Sequence, residues 1–255
     1  MSILYLIIFF IIGLFFGSFY TVIGLRCPKH ENFISNRSYC DECKHTLSFL
    51  DMIPILSYLF LRGKCRYCNK KIDPLSTYME FFTGVLFSLS YSIFGLSYEL
   101  AIALGIVSML IIISVSDISY YIIPDEILIF FIGYFLIFLV LSNGVMATLT
   151  NIMSGAIMFA IMYTIMLLGN FMFKKESLGG GDIKLMFVIG LILSPLPSLF
   201  VIFLGSLIAL PISIIIVKKK NNRLIPFGPF LIIAFLFIYF TKIDTNMILS
   251  FLNFR

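Results

Sequence analysis

The chain consists mostly of long apolar runs separated by short polar segments. A membrane-spanning helix needs roughly 20 consecutive apolar residues, or about 17 where its neighbours allow a shorter one. By that measure the pattern predicts eight spans, at about residues 2–25, 77–95, 98–116, 127–142, 147–171, 184–195, 198–217 and 227–241. The fourth and sixth runs are short. The predicted fold class is therefore an all-α, polytopic membrane helix bundle.

Composition supports a membrane protein and excludes an ordinary soluble domain. Hydrophobic residues make up 60% of the chain and charged residues only 12%, against about 25% charged in soluble domains. A soluble core of this size could not cover so much apolar surface. The first run has no basic residues before it and no small-residue cleavage site after it, so we interpret it as a span rather than a cleaved signal peptide.

The distribution of basic residues predicts the orientation in the membrane. If the N-terminus lies outside and eight spans alternate, all 18 Lys and Arg except Lys242 and Arg255 fall on inner segments. This asymmetry is the one that the positive-inside rule requires. The positive-inside distribution then accounts for the net charge of +5, and no nucleic-acid partner is expected.

One large polar segment, residues 26–76, divides the chain. It separates a first transmembrane helix (1–25) from a second membrane domain (77–255), and it is predicted to be cytoplasmic. Both histidines and all five cysteines lie in it. Within it, the apolar stretch from Phe49 to Leu61 is interrupted by Asp51 and Pro54. This stretch is too short to span, and we expect it to lie on the membrane surface.

Four of the cysteines form two closely spaced pairs, Cys40-x-x-Cys43 and Cys65-x-x-Cys68. Two such turns supply four thiolates at a spacing that suits tetrahedral zinc. A disulfide or redox role is the alternative, which the reducing cytosol disfavours. A site with four cysteine ligands has no open position, so the zinc is expected to be structural. Cys27 is outside this pattern.

Carboxylates at the ends of membrane spans are the candidates for chemistry, because ionisable groups there are costly and usually functional. Of the 13 acids, four lie at predicted span ends: Glu80, Asp117, Asp125 and Asp182. Asp182 follows three glycines, residues 179–181, which break the helix and permit close backbone approach. The alternative for this motif is an ordinary turn with a helix N-cap.

Asp117 and Asp182 both fall at the cytoplasmic ends of spans in this topology. Two carboxylates brought together in a partly dry site cannot both ionise readily, so that one acts as base while the other keeps a proton. This is the arrangement of aspartic proteases. The two histidines lie in the polar loop, where a solvated position is expected, and they suggest no Ser–His or Cys–His pair.

An ordered set of motifs covers nearly the whole chain and resembles a known family. The motifs are GSFYTV at 17–22 with Arg26, the two cysteine pairs, DMIPILSY at 51–58, LRGKCRYC at 61–68, YME at 78–80, Asp117 with Pro124-Asp125, GGGDIKL at 179–185 and PFGPFL at 226–231. In this order they resemble the prepilin leader peptidases of type IV pili and of related secretion and competence systems. These are membrane aspartyl proteases of the GxGD kind.

The resemblance implies a function and a site. Asp117 and Asp182 would be the catalytic pair. The substrates would be prepilins or pseudopilins, cleaved just after a glycine to remove a short basic leader. Many members also methylate the new N-terminus with S-adenosylmethionine. The location implied is the bacterial inner membrane, with the active site facing the cytoplasm. Supporting residues would be Gly179, Gly180, Gly181, Lys184, Glu80 and Asp125.

Two roles remain open for Glu80 and Asp125, which could steer a basic leader or hold a helix end. Two other classes of protein also remain open. One is a secondary transporter, in which the aspartates bind protons or cations at a broken helix near the bilayer midplane. The other is a non-catalytic assembly factor for pili or secretion. The distance between the two aspartates in space discriminates among these classes.

Overall fold

A computed structural model describes residues 3–32, 38–40, 42–174, 178–220 and 225–252 of the chain. The helices in these ranges are α1 (Ile3–Arg26), α2 (Leu56–Phe60), α3 (Leu75–Phe94), α4 (Tyr98–Tyr120), α5 (Asp125–Phe173), α6 (Gly180–Ile192), α7 (Pro195–Lys220), α8 (Gly228–Phe240) and α9 (Thr245–Leu252). Short 3₁₀ turns cover Cys27–Lys29 and Phe49–Met52. Beyond two isolated bridges, the described ranges contain no strand, which confirms the all-α prediction.

Each of the eight predicted spans coincides with a helix. The fourth and fifth are joined in α5, whose 49 residues are interrupted at Gly144, where φ is 81° and ψ is 170°. In the described part of the chain, four helices are long and apolar enough to cross a membrane, namely α1, α4, α5 and α7. The helical membrane class is therefore confirmed, whereas the number of eight crossings stays a prediction. Four of the basic residues used for the predicted orientation, Arg37, Lys175, Arg223 and Arg255, lie outside the described residues.

The chain divides into two compact units, Met1–Leu96 and Ser97–Arg255. In the first unit, α1 packs along α3 at glycine contacts. A Cβ on Gly13 would lie 2.7 Å from the Cα of Gly84, and a Cβ on Gly17 would lie 2.7 Å from the Cα of Glu80. Membrane helices associate through small residues of this kind, because their backbones can then approach closely. The two glycines of α1 therefore define how α3 lies against it.

Glu80 is buried at this helix interface, with 6% of its surface exposed. Its Oε2 accepts the backbone N–H of Ile55 at 2.8 Å, and its Oε1 accepts the Ser76 hydroxyl at 3.2 Å. Ile55 has a φ of 60°, which is rare for a β-branched residue. The Glu80 carboxylate thus stabilises the irregular backbone at Ile55, which lies beside the first turns of α3.

Replacing Glu80 with alanine is expected to lower the free energy of unfolding of the first unit by about 1–3 kcal/mol, because the half-buried Ile55 N–H loses its acceptor. Thermal unfolding in detergent and proteolysis of segment 26–76 would measure the loss. Glu80→Gln keeps an acceptor oxygen and should lose less. Equal unfolding temperatures for wild type and Glu80→Ala would contradict the role.

In the second unit, α4 is the central helix. Every residue from Gly105 to Asp117 is buried, as expected for a helix that is apolar on all sides. It contacts α5 and α8, and α8 in turn contacts α6 and α7. Asp117, which lies in the last turn of α4, is therefore packed against other helices rather than exposed.

Candidate active site and metal centre

Two turns of the same backbone geometry carry the paired cysteines. In the first, the N–H of Lys44 donates to the carbonyl of Cys40 at 2.8 Å, and in the second the N–H of Asn69 donates to the carbonyl of Cys65 at 2.9 Å. Lys44 and Asn69 occupy equivalent positions, and each has a φ of 56°. The repeated Cys-x-x-Cys motif therefore folds as two copies of one turn.

The four sulfur atoms of these turns form one cluster. All lie within 4.8 Å of one another, and the Sγ atoms of Cys40 and Cys68 are 3.9 Å apart. Tetrahedral zinc with Zn–S bonds of about 2.3 Å requires sulfur separations of about 3.8 Å. Hydrogen bonds from the backbone at Cys43 and Glu42 lower the pKa of the Cys40 thiol to about 7, despite burial, and so favour the thiolate. The cluster fits a metal ion; that the metal is zinc stays a prediction.

Asp51 connects the second cysteine turn to the apolar stretch before it. Its side chain is 3% exposed, and its Oδ1 lies 2.8 Å from Nε of Arg66. Its Oδ2 accepts the Ser48 hydroxyl at 2.6 Å and the Tyr67 hydroxyl at 3.3 Å. Burial opposes ionisation, but the bonds from Ser48 and the charge of Arg66 keep the pKa of Asp51 below its usual range. Asp51 thus fixes the 3₁₀ turn to residues that lie between Cys65 and Cys68.

Asp117 lies in the last turn of α4 in the second unit and is 6% exposed. Its Oδ2 accepts the backbone N–H of Gly228 at 3.0 Å, and Gly228 is the first residue of α8. The first N–H groups of a helix lack partners within the helix and are oriented toward negative charge. The start of α8 therefore orients the Asp117 carboxylate.

The chain turns back immediately after Asp117. Tyr121 ends α4 with a φ of 58°, and its N–H donates to the Asp117 carbonyl at 2.9 Å. The Ser116 hydroxyl then donates to the carbonyl of Ile122 at 2.5 Å. A left-handed residue of this kind commonly ends a helix. The turn directs the next residue, Ile123, toward the starts of α6 and α8.

Ile123 lies between Gly181, which precedes Asp182, and Gly228, which contacts Asp117. A Cβ on Gly181 would lie 2.8 Å from the Cβ of Ile123, and a Cβ on Gly228 would lie 3.0 Å from its Cδ1 and 3.1 Å from Oδ2 of Asp117. Only glycine fits at these two positions without displacing a neighbour. The Asp117 and Asp182 carboxylates are near enough to act on one another electrostatically. The structure therefore brings the two predicted aspartates to the same end of the second unit.

The glycine triplet has three different surroundings. α6 begins at Gly180, and the N–H of Asp182 donates to the carbonyl of Gly179 at 3.2 Å. A Cβ on Gly179 would lie 3.2 Å from Oδ2 of Asp182, so the half-buried carboxylate turns back over that glycine. At Gly180 a Cβ would meet nothing within 4 Å. Glycine at 179 thus leaves space for the Asp182 carboxylate, and glycine at 181 leaves space for Ile123.

Two of the other predicted supporting residues, Lys184 and Asp125, form an ion pair in the second unit. Lys184 Nζ contacts both carboxylate oxygens of Asp125, at 2.8 and 2.7 Å, and joins the start of α5 to the start of α6. Both side chains are about half exposed, at 49% and 56%. Glu80 belongs to the first compact unit, where it holds Ile55.

Sequence reasoning assigned no role to three residues that the geometry singles out: Gly228, Ile123 and Asp51. Gly228 had a signal, because a glycine followed by Pro229 at the start of an apolar run is typical of a helix beginning. Asp51 also had one, as a charge within an apolar stretch. Ile123 had none, since its contacts join residues far apart in the chain.

These features define a helical membrane protein with a carboxylate pair in one unit and a four-cysteine cluster in the other. Residues 11–94 match the family described as Bacterial Peptidase A24 N-terminal domain, and residues 104–214 match the Type IV leader peptidase family. No solved structure matches the chain.

Three curated relatives, each named prepilin leader peptidase/N-methyltransferase, are similar to the chain. The protein of Bacillus subtilis (strain 168) is 39% identical over 188 residues, which cover 73% of each chain. That of Vibrio cholerae is 32% identical over 258 residues, covering 94% of this chain and 98% of the relative. That of Myxococcus xanthus is 33% identical over 193 residues, covering 75% and 57%. The chain belongs to the type IV leader peptidase family and is a multi-pass protein of the bacterial inner membrane.

Proposed function

We propose that the chain is a membrane aspartic endopeptidase that removes the leader from prepilin-like proteins and then methylates the new N-terminus. The observation that carries the proposal is that Asp117 and Asp182 lie at one end of the second unit, where Ile123 packs against Gly181 and Gly228 and the N–H of Gly228 donates to the Asp117 carboxylate. The names of the relatives supply the substrate class and the second activity.

In the proposed mechanism the two carboxylates share one proton. The ionised carboxylate takes a proton from water, which attacks the carbonyl carbon of the scissile bond. The protonated carboxylate donates to the carbonyl oxygen and, after proton exchange, the leaving amine departs protonated. The N–H of Gly228 keeps one carboxylate in position throughout. Ile123, between Gly181 and Gly228, keeps the helix starts at a constant separation.

The proposed substrate suits this position. A basic leader followed by an apolar helix would lie with its junction at the membrane surface, and Asp117 lies in the last turn of a spanning helix. With the N-terminus outside, as the basic residues predict, this end faces the cytoplasm. A transporter would need the acids near the midplane. An assembly factor would not need two interacting carboxylates.

The cysteine cluster and the methyl donor complete the proposal. Zinc bound by Cys40, Cys43, Cys65 and Cys68 would stabilise the 26–76 segment and would supply no open coordination position for substrate. S-adenosylmethionine would be the co-substrate for methylation of the amine that cleavage releases. The names of the relatives support this second activity.

A single incubation tests both activities. Purified full-length chain in liposomes would receive a synthetic peptide with a basic leader, a glycine and an apolar segment, together with S-adenosylmethionine labelled in its methyl group. We expect the leader to be released after the glycine and the label to appear on the new N-terminal amine. An intact peptide would contradict the peptidase. Release of the leader without label would contradict only the methyl transfer.

The Asp125–Lys184 ion pair is expected to position Asp182, because it fixes the first turns of α5 and α6 to each other. An exposed pair contributes about 0.2–1 kcal/mol, so Asp125→Asn or Lys184→Met should lower kcat roughly two- to fivefold with little change in KM. The exchanged pair, Asp125→Lys with Lys184→Asp, should recover part of the loss. Single variants with wild-type kcat, or no recovery in the exchanged pair, would contradict a positioning role.

A further inference from the structure

An apolar surface covers the segment 49–60 of the first unit, outside the long helices. Six side chains within these twelve residues are exposed although they are large and apolar, and Phe60 and Phe49 are 82% and 73% exposed. The six are Phe49, Leu50, Met52, Leu56, Leu59 and Phe60. They belong to the 3₁₀ turn Phe49–Met52 and to α2, which contact each other. An exposed apolar patch of this kind marks a binding surface.

The depth of this segment follows from its contact with α3. Its residue Ile55 donates to Glu80, and the Cα of Glu80 lies beside Gly17 of α1. Residues 17 to 26 of α1 rise about 13 Å along the helix axis. The 24 residues of α1 measure about 36 Å, only about 6 Å more than the hydrocarbon core of ~30 Å. Gly17 therefore lies within the hydrocarbon region, even if all of that excess is at the Arg26 end.

Ile55 lies somewhat nearer to the surface than Gly17, because the Glu80 side chain leans toward the start of α3, where Ser76 also donates to it. This still leaves Ile55 at the boundary between headgroups and acyl chains. Irregular backbone at such a depth is tolerated only where protein groups satisfy its N–H and carbonyl groups. Glu80 supplies that partner for Ile55.

Charge supports the same location. The segment is followed at once by the exposed cations Arg62 and Lys64. Basic residues next to an apolar surface are typical of segments that lie in the membrane interface, with the cations among the lipid headgroups.

From these contacts we infer that residues 49–60 form an interfacial element whose apolar side chains are inserted among the acyl chains of the leaflet on the side of the cysteine loop. Glu80 attaches this element to α3, and Asp51 attaches it to the second cysteine turn through Arg66 and Tyr67. The lipid surface thus supports the second cysteine turn through this element. This inference goes beyond the proposed reaction and does not depend on it.

The chain contains no tryptophan, so a single tryptophan reports on one position without background. The full-length variant Phe60→Trp would be reconstituted in bilayers whose lipids carry bromine in the acyl chains, which quenches tryptophan on contact. We expect it to lose roughly half of its emission, because an interfacial side chain lies about 5–10 Å below the headgroups. Phe82→Trp, 55% exposed on α3, is the matched control for lipid contact and should be quenched similarly.

Tyr39→Trp is the control for the polar cysteine loop, since Tyr39 precedes Cys40, is 38% exposed and has the cations of Arg26 and Lys44 at 5.8 and 5.0 Å from its ring centre. It should retain its emission in brominated lipid and should respond to iodide in the buffer, which Phe60→Trp should not. Unquenched emission from Phe60→Trp beside quenched Phe82→Trp would overturn the inference. Blue-shifted but unquenched emission would also overturn it, because protein would then cover the surface. If Phe60→Trp fails to accumulate, Leu59→Trp, which is 63% exposed, takes its place.

Discussion

Replacing either Asp117 or Asp182 with asparagine is expected to abolish leader cleavage, with kcat falling by about 10³-fold or more. Asparagine keeps the size and much of the hydrogen bonding of aspartate but can neither take a proton from water nor donate one to the substrate. Asp117→Asn can still accept the N–H of Gly228. The helices should therefore pack normally, and both variants should accumulate in the membrane. Cleavage of a synthetic leader peptide, followed over time, measures the loss.

Glu126→Gln is the matched control for these variants. Glu126 is an exposed acid in the first turn of α5, next to Asp125, and its replacement should leave cleavage intact. Normal processing by Asp117→Asn or Asp182→Asn would exclude the proposed mechanism. Loss of the protein from the membrane, on the other hand, would indicate a structural role for the carboxylate instead.

Loss of one cysteine ligand is the second large effect that we expect. Structural zinc contributes about 10–16 kcal/mol in small zinc domains, so Cys40→Ser and Cys65→Ser should each lose most of the bound metal. The 26–76 segment should then be cut by protease far more rapidly, because the metal would no longer join the two turns. Metal analysis of purified protein, together with limited proteolysis before and after chelator, measures both effects.

Cys27→Ser is the control, because it removes a thiol without removing a predicted metal ligand. Cys27 is buried at the end of α1 and lies outside the sulfur cluster. Its replacement should leave the metal content at the wild-type level of about one ion per chain. Purified wild-type protein without zinc would refute the metal prediction. Equal metal content in Cys65→Ser would refute the role of this ligand set.

The sequence predicts the helices well because each helix is a local pattern. Every predicted span coincides with a helix, and the break in α5 at Gly144 falls between the fourth and fifth predicted runs. The cysteine cluster is predictable for a similar reason, since Cys-x-x-Cys is a turn whose ligand geometry depends on adjacent residues. The number of crossings is harder to predict, because α6 and α8 have only 13 residues each. Their ability to cross depends on what packs around them.

The roles of Glu80 and Asp125 could not be predicted from the sequence. From sequence, Glu80 and Asp125 are equivalent acids at span ends. In the structure, Glu80 is buried and hydrogen-bonded to the backbone of Ile55, whereas Asp125 is exposed and paired with Lys184. Neither partner is adjacent in sequence, and no periodicity links them. Only the tertiary packing shows that Glu80 binds a backbone N–H whereas Asp125 joins the first turns of two helices.

The sequence by itself determined that this chain lies in the membrane and that four cysteines can form one site, and it predicted that Asp117 and Asp182 fall at similar depth. These conclusions need only hydropathy, local turns and the alternation of spans, which are properties of neighbouring residues. The tertiary structure alone decided that the two aspartates lie at the same end of the second unit, and which residues hold them there. Ile123 lies between Gly181 and Gly228, and Gly228 donates to Asp117. These contacts join residues more than fifty positions apart, and their geometry depends on how α4, α6 and α8 pack.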